Sequence, residues 1–271
     1  MNKNNNVLIF AHYHSKGLIR KDILNFLKKS KKFFTKIIFV STKIKGNEIC
    51  KIPSGIKIIK KRNVGYDFCS YKKGLVYLSS KYKRNFSNKN LFFINSSILF
   101  IRPEKLLNSI ARKTLKNKEF WGLSRSLELT NHIGTYCFFF SGNLFENENI
   151  FNWWKSIKPL DDRNKVVSKY ELGLSNLMIK NNIELKSFYK KNIELKANNI
   201  FEKISQRYKE IFFKTPKYYK KNPINYFWKD FYNKYGIIKV KLIKENNTKY
   251  GTEGLRSILK NKNLLFEALN N

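Results

Sequence analysis

Short apolar segments alternate with amphipathic ones along the first hundred residues, and no other feature of the chain constrains its fold as strongly. Four segments have the length and apolar content of buried strands: residues 7–11, 36–41, 56–59 and 91–94. Residues 18–27 and 68–80 instead carry apolar side chains at the three- and four-residue spacing of a helix with one buried face. Alternating strands and helices are typical of crossover units in a mostly parallel sheet. The sequence therefore predicts an α/β fold of the Rossmann type, with helices flanking the sheet.

The rest of the chain contains a second group of predicted elements and a polar final third. The predicted strands are residues 119–123 and 135–140, and the predicted helices are residues 143–154 and 165–180. From residue 191 onward the chain is rich in Lys, Asn and Tyr, with helical stretches at 201–213 and 226–235. We expect one main domain at residues 1–190 and a helical extension at residues 191–271 packed on it.

The net charge of +36 first suggests a polyanionic partner, such as nucleic acid or an anionic membrane surface. The basic residues are 46 Lys against 9 Arg, however, and they accompany 34 Asn. Specific readers of nucleic acid depend on the bidentate contacts of Arg, and the Lys residues are spread evenly along this chain. Codon usage in an AT-rich genome is the alternative explanation, since it would enrich exposed Lys without a binding role. We therefore expect no nucleic-acid partner, while a basic surface would still suit an anionic donor or a membrane face.

Cysteine content and the terminal sequence bear on the cell compartment. Cys50, Cys69 and Cys137 are odd in number and widely spaced, which fits neither a disulfide framework nor a Cys-rich zinc site. Reduced thiols of this kind are typical of the cytosol. Residues 1–6 lack the apolar region of a signal peptide, and no apolar run is long enough to span a bilayer. The expectation is a soluble cytoplasmic protein, with peripheral contact to the inner membrane as an open alternative.

Polar residues follow the predicted strands where the strands end, and ligands of parallel α/β sheets bind outside these carboxyl ends. The candidate binding residues are His12, Arg62, Asn63, Gly65, Asp67, Asn95 and Ser96. An Asn-x-Gly turn that leads into a helix can present backbone N–H groups to a phosphate, and Arg62 could meet a pyrophosphate. Asp67 could accept hydrogen bonds from ribose or sugar hydroxyls, or it could cap the helix. The pattern indicates a nucleotide or sugar pocket, with a capped turn beside solvated basic residues as the plain structural alternative.

Two further residues are candidates for acid–base chemistry. Glu171 lies at the edge of an apolar helical face, where an unpaired carboxylate is energetically costly. A functional reason for such a carboxylate would be to act as a general base. Alternatively, Lys165 or Lys169 offsets its charge on a solvated face. His132 precedes a predicted buried strand, and its imidazole could bind a phosphate or an acceptor hydroxyl, or take up a proton. A lone histidine in this setting can equally be structural.

Several of these stretches, in this order, resemble the rhamnan synthesis F family of glycosyltransferase-like proteins from bacterial surface-polysaccharide clusters. The matching stretches are residues 62–74, 92–97, 120–123, 132–140 and 169–175, with weaker matches at 222–228 and 238–242. The resemblance covers the chain from His12 to about residue 246. It implies a GT-A-like catalytic domain in residues 1–190. That domain would transfer a sugar, often a deoxysugar such as rhamnose, from a nucleotide diphosphate to a saccharide or lipid-linked acceptor of O antigen or capsule.

Carried over by position, the resemblance also implies roles for individual residues. Asn63, Gly65 and Asp67 would belong to the donor pocket. Glu171 would be the base that deprotonates the acceptor hydroxyl. His132 would lie near the donor phosphates or the acceptor.

The strand-end motif departs from the family pattern. Asn95 and Ser96 stand where the family usually has Asn-Asp, an acidic motif that holds a divalent cation such as Mn²⁺ or Mg²⁺. Asn and Ser are poor ligands for such a cation without help. Three alternatives follow: the transferase needs no metal, another carboxylate such as Asp67 takes over, or the protein is an inactive carbohydrate-binding relative.

Overall fold

The computed structural model describes residues 5–82, 85–113, 118–127, 129–190, 222–244 and 252–261. The strands are β1 (Asn6–His12), β2 (Lys36–Ser41), β3 (Lys57–Lys60), β4 (Asn90–Asn95), β5 (Ile98–Phe100), β6 (Phe120–Ser126), β7 (His132–Ile133), β8 (Cys137–Ser141), β9 (Leu185–Tyr189) and β10 (Ile237–Lys239). The helices are α1 (Lys21–Ser30), α2 (Gly46–Ile49), α3 (Tyr66–Lys81), α4 (Pro103–Ile110), α5 (Glu148–Ser156), α6 (Arg163–Val166), α7 (Gly173–Lys180), α8 (Pro223–Tyr226), α9 (Trp228–Tyr235), α10 (Val240–Lys244) and α11 (Leu255–Asn261). A 3₁₀ turn at Gly142–Glu146 precedes α5, and a π-helical turn at Val167–Leu172 joins α6 to α7.

Eight strands form one sheet in the order β3-β2-β1-β4-β8-β6-β7, with β9 alongside β6. The first four strands are parallel, and α1 and α3 lie on the connections between them. Strand β8 runs antiparallel to both β4 and β6, so the sheet reverses direction at this point. The predicted α/β class with a mostly parallel sheet is confirmed. The reversal at β8 is additional, because the apolar pattern of a buried strand carries no information about its direction.

The central strands are buried on both faces, which explains why they are apolar without strict alternation. On one face, Leu8 and Phe10 of β1 pack with residues of α1 and α4. On the other face, Val7 and Ile9 pack with residues of α3, α5 and α7. Strand β8 is likewise buried along its whole length. The sheet is therefore a rigid layer between two apolar layers, on which a site at its edge can be built.

The register of the parallel strands brings their carboxyl ends to one edge of the sheet. Ala11 lies opposite Asn95 across β1 and β4. His12 lies opposite Ser41 across β1 and β2. Polar residues that directly follow these strands therefore meet at the same edge.

The described C-terminal segments join the rest of the chain through β10, which pairs antiparallel with β5 in a separate two-stranded sheet. Helix α9 packs on α4 beside this pair. Gly236 follows α9 with a φ of 68°, and a Cβ there would lie 2.5 Å from the carbonyl oxygen of Arg102. The predicted helix at 201–213 lies outside the described residues, and the domain boundary at residue 190 stays a prediction.

Two further observations concern the thiols and the helices. Cys50, Cys69 and Cys137 are free, as their spacing predicts. Among the described residues, no helix has both the length and the apolar character needed to cross a bilayer.

A buried ion pair fixes the segment that links β4 to β5. Arg20 Nε donates to Asp22 Oδ1 at 2.8 Å, and the two side chains are 1 % and 0 % exposed. The guanidinium also donates to the carbonyl oxygens of Ser96 and Ile98, and Asp22 Oδ2 accepts from the N–H of Phe100. These bonds satisfy the pair, as a buried ion pair requires. They also connect the start of α1 to the turn at the end of β4.

We expect Asp22→Ala to lower the free energy of unfolding by about 3–5 kcal/mol, because it leaves the Arg20 guanidinium buried without its counter-charge. The matched control is Glu104→Ala, which removes a surface ion pair with Lys29 whose side chains are 45 % and 41 % exposed. An exposed pair of this kind contributes about 0–1 kcal/mol. Urea unfolding followed by circular dichroism measures both variants. Equal losses in the two variants would contradict the structural role of the buried pair.

Candidate functional site

A cleft of about 760 Å³ lies at the carboxyl edge of the parallel strands. Its volume falls within the range of about 300–1,000 Å³ that is usual for small-molecule sites. Seven of the nine residues singled out in the sequence line it: His12, Asn63, Gly65, Asp67, Asn95, Ser96 and Glu171. Further lining residues come from α6, β10 and α10, among them Arg163, Lys239 and Lys241. The cleft therefore unites residues that are far apart in the sequence.

A chain of hydrogen bonds joins four side chains at the end of β4. Asn95 Nδ2 donates to Asp67 Oδ2 at 2.7 Å, which connects this strand end to the first turn of α3. Asn95 Oδ1 accepts from the N–H and the hydroxyl of Ser97. Lys239 Nζ donates to Ser97 Oγ at 2.8 Å. The residue at the N-cap of α3 is Gly65, so the Asp67 carboxylate contacts the neighbouring strand end instead of capping its own helix.

Lys239 is held by contacts of three kinds. Its strand β10 pairs with β5, so that Lys239 lies opposite Ile98. The N–H of the next residue, Val240, donates to the carbonyl oxygen of Ser97 at 3.0 Å. The ammonium lies 4.4 Å from the ring centroid of Tyr136, a distance typical of cation–π contacts. The ammonium is therefore positioned by the fold itself.

Ser96 has a structural role at the same strand end. Its Oγ accepts from the N–H of Tyr13 at 3.1 Å and donates to the carbonyl oxygen of Tyr13 at 3.2 Å. Its own N–H donates to the carbonyl oxygen of Ala11 at 3.0 Å. The side chain thus holds the loop after β1 against the end of β4. Donor binding by the Ser96 hydroxyl stays a prediction.

Glu171 belongs to the π-helical turn between α6 and α7. Such turns are rare and are often found at functional sites, because their extra residue changes the direction of the side chains. Glu171 Oε1 accepts a hydrogen bond from the N–H of Thr135 at 3.2 Å, and the residue lines the cleft. The carboxylate therefore contacts a backbone N–H in the cleft and not a surface lysine.

The ionisable groups of the cleft perturb one another. Burial raises the pKa of Asp67 to about 6, with Lys239 opposing the rise and Glu171 adding to it. Burial lowers the pKa of Lys239 to about 8, while the charges of Glu171 and Asp67 oppose the fall. Asp67 and Glu171 thus act on an ammonium whose pKa of about 8 lies close to neutral pH. Groups perturbed in this way in a cleft are candidates for function.

His12 presents a neutral imidazole to the cleft. The residue is 1 % exposed, and burial, followed by the charges of Arg20 and His14, lowers its pKa to about 3. Its Nδ1 is hydrogen-bonded with Ser41 Oγ at 2.9 Å. A ligand would therefore meet a ring that can form a hydrogen bond but cannot neutralise a phosphate.

Arg62 and His132 do not line the cleft. Arg62 is exposed, and its carbonyl oxygen accepts from Lys61 Nζ at 2.9 Å. His132 is buried in β7, and its Nδ1 is hydrogen-bonded with the carbonyl oxygen of Thr130 at 2.8 Å. The turn after β7 brings Thr135 to the cleft in its place. The geometry favours the structural alternative for His132, and the functional roles of both residues stay predictions.

Two consecutive residues at the start of α3 have positive φ. Gly65 has a φ of 72° and Tyr66 a φ of 50°. A residue other than glycine in this region costs about 1–2 kcal/mol, and such strain is concentrated at functional sites. The Tyr66 hydroxyl donates to the carbonyl oxygen of Asp161 at 3.1 Å. Tyr66, Tyr13 and Val64 are each more than two-fifths exposed and give the cleft an apolar rim.

The side chains at this edge do not fit a divalent cation. Such cations require several oxygen ligands, preferably carboxylates. Asn95 Oδ1 and Ser96 Oγ are engaged in bonds within the chain, and the positive charges of Lys239 and Arg163 act on Asp67. Over the ranges that the structure describes, no group of three or more His, Cys, Asp or Glu side chains is placed to hold a metal ion.

Sequence reasoning missed Lys239 and Tyr136 as residues of the site and considered Ser97 only as part of the polar triplet after β4. Lys239 is one of 46 lysines, and its strand has only three residues, so no local pattern distinguishes it. The available signals were weak: Ser97 completes the polar triplet after β4, and residues 238–242 match the family pattern faintly. The pairing of β10 with β5 brings Lys239 to Ser97.

Comparison with known proteins assigns the chain to a family. The family model described as "Rhamnan synthesis protein F" matches residues 37–263, which is well over half of the 271 residues. The chain belongs to the rhamnan synthesis protein F family. The resemblance identified in the sequence is thereby confirmed. The part that matches this family includes Asp67, Asn95, Glu171 and Lys239.

Curated relatives are longer than this chain. The protein named "Uncharacterized protein y4gN" of Sinorhizobium fredii is 28 % identical over 153 residues, which cover 51 % of this chain and 38 % of that protein. "Virulence protein VirA" of Vibrio anguillarum is 32 % identical over 118 residues, which cover 43 % of this chain and 36 % of that protein. The matches thus span little more than a third of the length of these relatives.

Solved structures show only distant similarity. The glycosyltransferase GlyE of Streptococcus pneumoniae TIGR4 is 13 % identical, with a TM-score of 0.45, and the match covers 99 % of this chain and 63 % of that one. A 4-diphosphocytidyl-2C-methyl-D-erythritol synthase is 9 % identical, with a TM-score of 0.42, and the match covers 75 % of this chain and 98 % of that one. Similarity at this level does not assign a function.

We expect Asp67→Asn to be more stable than the wild type at about pH 8, by about 1–2 kcal/mol after allowing for solvent screening at the cleft. The folded pKa of about 6 exceeds the ordinary value of 3.8, so ionisation of Asp67 opposes folding. This cost is absent below about pH 4 and complete above about pH 6 to 7. Urea unfolding midpoints of both proteins at about pH 4 and at about pH 8 measure this cost. A stability difference that is the same at both pH values would contradict the raised pKa.

We expect Gly65→Ala to destabilise the protein more than Gly55→Ala. Both glycines have positive φ, 72° and 80°, so both substitutions incur a backbone cost of about 1–2 kcal/mol. A Cβ at Gly65 would in addition overlap Cys69 Sγ and lie 2.9 Å from Cα of Pro159, whereas nothing lies within 4 Å of one at Gly55. Overpacking adds about 1–3 kcal/mol. Urea unfolding of the two variants checks the difference, and equal losses would show that the loop can move aside freely.

Proposed function

We propose that the chain is a glycosyltransferase that moves a sugar from a nucleotide-diphosphate donor to a saccharide or lipid-linked acceptor in bacterial surface-polysaccharide synthesis. The observation that carries the proposal is the contact of Asp67 with Asn95 in a cleft that also holds Glu171. Membership of the rhamnan synthesis protein F family supports it. Because the family is named for rhamnan, a deoxysugar such as rhamnose is the first donor to test. O antigen or capsule would be the product class.

The donor would bind across the two strand ends. Asp67 and Asn95 offer a carboxylate and an amide to sugar or ribose hydroxyls, while Asn63 and the backbone of Gly65 line the adjacent loop. Tyr66, on the exposed rim, offers an aromatic face on which a base or a sugar ring can stack. His12 and Ser96 are proposed as further donor contacts at the inner end of the cleft.

The reaction would be a direct displacement at the anomeric carbon. The acceptor hydroxyl oxygen forms a bond to this carbon, and its proton passes to the carboxylate of Glu171. The bond from the anomeric carbon to the phosphate oxygen breaks, and its electron pair leaves with the nucleoside diphosphate. Arg163 and Lys241 line the cleft and supply positive charge near the diphosphate. The hydrogen bond from the Thr135 N–H holds Glu171 in one orientation for the proton transfer.

The surface charge supports a location next to a membrane. At +36, the chain would be attracted to the anionic cytoplasmic face of the inner membrane, where lipid-linked acceptors are found. We therefore extend the proposal to a cytoplasmic enzyme with peripheral membrane contact. The same charge suits an anionic nucleotide-sugar donor.

A carbohydrate-binding protein without activity is the second candidate. The observation that favours it is the sequence Asn95–Ser96–Ser97, which contains no carboxylate at the strand end. Incubation with a panel of labelled nucleotide-diphosphate sugars, with and without saccharide and lipid-linked acceptors, separates the two. Release of nucleoside diphosphate supports the transferase. Calorimetric binding of a saccharide with no release from any donor supports the second candidate.

We expect Glu171→Gln to lower the rate of sugar transfer by about 10²–10⁴-fold, the usual loss when a general base is removed. Gln keeps the shape of the side chain and can still accept from the Thr135 N–H, so donor affinity measured by calorimetry should change little. The matched control is Glu146→Gln, an exposed residue of the 3₁₀ turn outside the cleft. Undiminished transfer by Glu171→Gln, relative to this control, would assign the base elsewhere.

A further inference from the structure

We propose that Lys239 supplies, at the end of β4, the positive charge that stabilises the departing diphosphate, in place of a divalent cation. The inference rests on the proposed function and names the side chain that would make the reaction independent of metal. Three observations carry it: the position of the ammonium, the lack of a carboxylate in the triplet Asn95–Ser96–Ser97, and the charges that surround the ammonium.

The ammonium of Lys239 lies at the strand end that the donor would occupy. It donates to Ser97 Oγ at 2.8 Å, and Ser97 is hydrogen-bonded to Asn95, which contacts Asp67. The ammonium has three N–H donors, and among the described residues Ser97 Oγ accepts a hydrogen bond from one of them. The group therefore retains donor capacity for phosphate oxygens while it stays attached to the strand end.

The fold positions this charge before a ligand arrives. Pairing of β10 with β5 fixes the backbone of Lys239, and the ring of Tyr136 lies 4.4 Å from the ammonium. Tyr136 is in turn hydrogen-bonded with Ser124 at 2.7 Å. A preorganised charge stabilises a developing anion without a reorganisation cost at the moment of reaction, which is the main way in which enzymes stabilise leaving groups.

A lysine and a divalent cation would compete for this position. The triplet Asn95–Ser96–Ser97 offers no carboxylate to a metal, and the ammonium would repel one. The charges that face Lys239 come from four elements: Glu171 of the π-helical turn, Asp67 of α3, Arg163 of α6 and Lys241 of α10. The two carboxylates stabilise one ammonium, but they are too few to hold both an ammonium and a divalent ion.

The chemistry balances without a metal. When the bond from the anomeric carbon to the phosphate oxygen breaks, the electron pair stays on that oxygen and the diphosphate gains one negative charge. A hydrogen bond from the Lys239 ammonium neutralises part of this charge. The proton of the acceptor hydroxyl goes to Glu171, and Lys239 stays protonated throughout. Burial lowers the pKa of Lys239 to about 8, so the free protein carries the charge at neutral pH and loses it in mildly alkaline solution.

The first test is calorimetric binding of inorganic pyrophosphate and of a panel of nucleoside diphosphates, in EDTA and again in Mn²⁺. We expect the wild type to bind the probes in EDTA at least as tightly as in Mn²⁺, which itself complexes them, and Lys239→Met to bind at least about tenfold more weakly in EDTA. The matched control is Lys234→Met, which removes an exposed lysine of α9 whose Nζ lies 5.4 Å from the ring centroid of Tyr235. This control loses the same charge and should change the affinity by less than about twofold.

The second test uses pH and keeps the proposal falsifiable should Lys239→Met not fold. The affinity of the wild type for pyrophosphate should fall as the pH rises through about 8, whereas Lys239→Arg should keep its affinity, because a guanidinium stays charged. A wild-type affinity that EDTA abolishes and Mn²⁺ restores overturns the proposal. So does a Lys239→Met variant that binds as tightly as Lys234→Met, a pH dependence shared by Lys239→Arg, or a wild type that binds none of the probes.

The outcomes also separate this proposal from the proposed function. Binding that depends on Lys239 and not on metal, without turnover of any donor sugar, supports the role of Lys239 as an anion-binding residue and contradicts sugar transfer. Turnover that requires Mn²⁺ supports transfer and contradicts the role of Lys239.

Discussion

The ion pair between Arg20 and Asp22 determines where the cleft can form. Arg20 and Asp22 form hydrogen bonds with the backbone between Ser96 and Phe100. This segment includes strand β5, the partner of β10. Without that partner, the ammonium of Lys239 would have no fixed position. A buried pair at the start of α1, which does not itself line the cleft, therefore supports the wall that carries Lys239. The pair is tolerated because its charges and hydrogen bonds are satisfied inside the chain.

The cleft contains features that oppose folding. Asp67 is ionised at a site that disfavours its charge, Lys239 is an ammonium in a buried setting, and Tyr66 has a left-handed backbone. The double-sided apolar core around the sheet offsets these costs. Local features that reduce stability and persist in one cleft are expected where a protein binds or transforms a ligand.

The sequence predicts the parts of this fold that depend on local patterns. Strands β1 to β4 are recognisable apolar runs, and parallel strands bring their carboxyl ends to one edge of the sheet, so a cleft lined by Asp67 and Asn95 could be anticipated. Lys239 could not, because its strand is three residues long and its partner lies far away in the chain. The role of His132 could not be decided from the sequence for a related reason. A histidine beside a buried strand has no local mark that tells a site residue from one bonded to its own turn, as it is to Thr130.

The residues joined by hydrogen bonds at the end of β4 are far apart in the sequence, so the ribosome adds them at different times. Lys239 follows the serine that it contacts by 142 residues. A chain emerging from the ribosome would form the carboxylate side of the cleft first and would gain the ammonium only when β10 adds to β5. Until then, the end of β4 would lack this positive charge. If the proposed function holds, an incomplete chain would bind an anionic donor more weakly than a chain in which β10 has paired with β5.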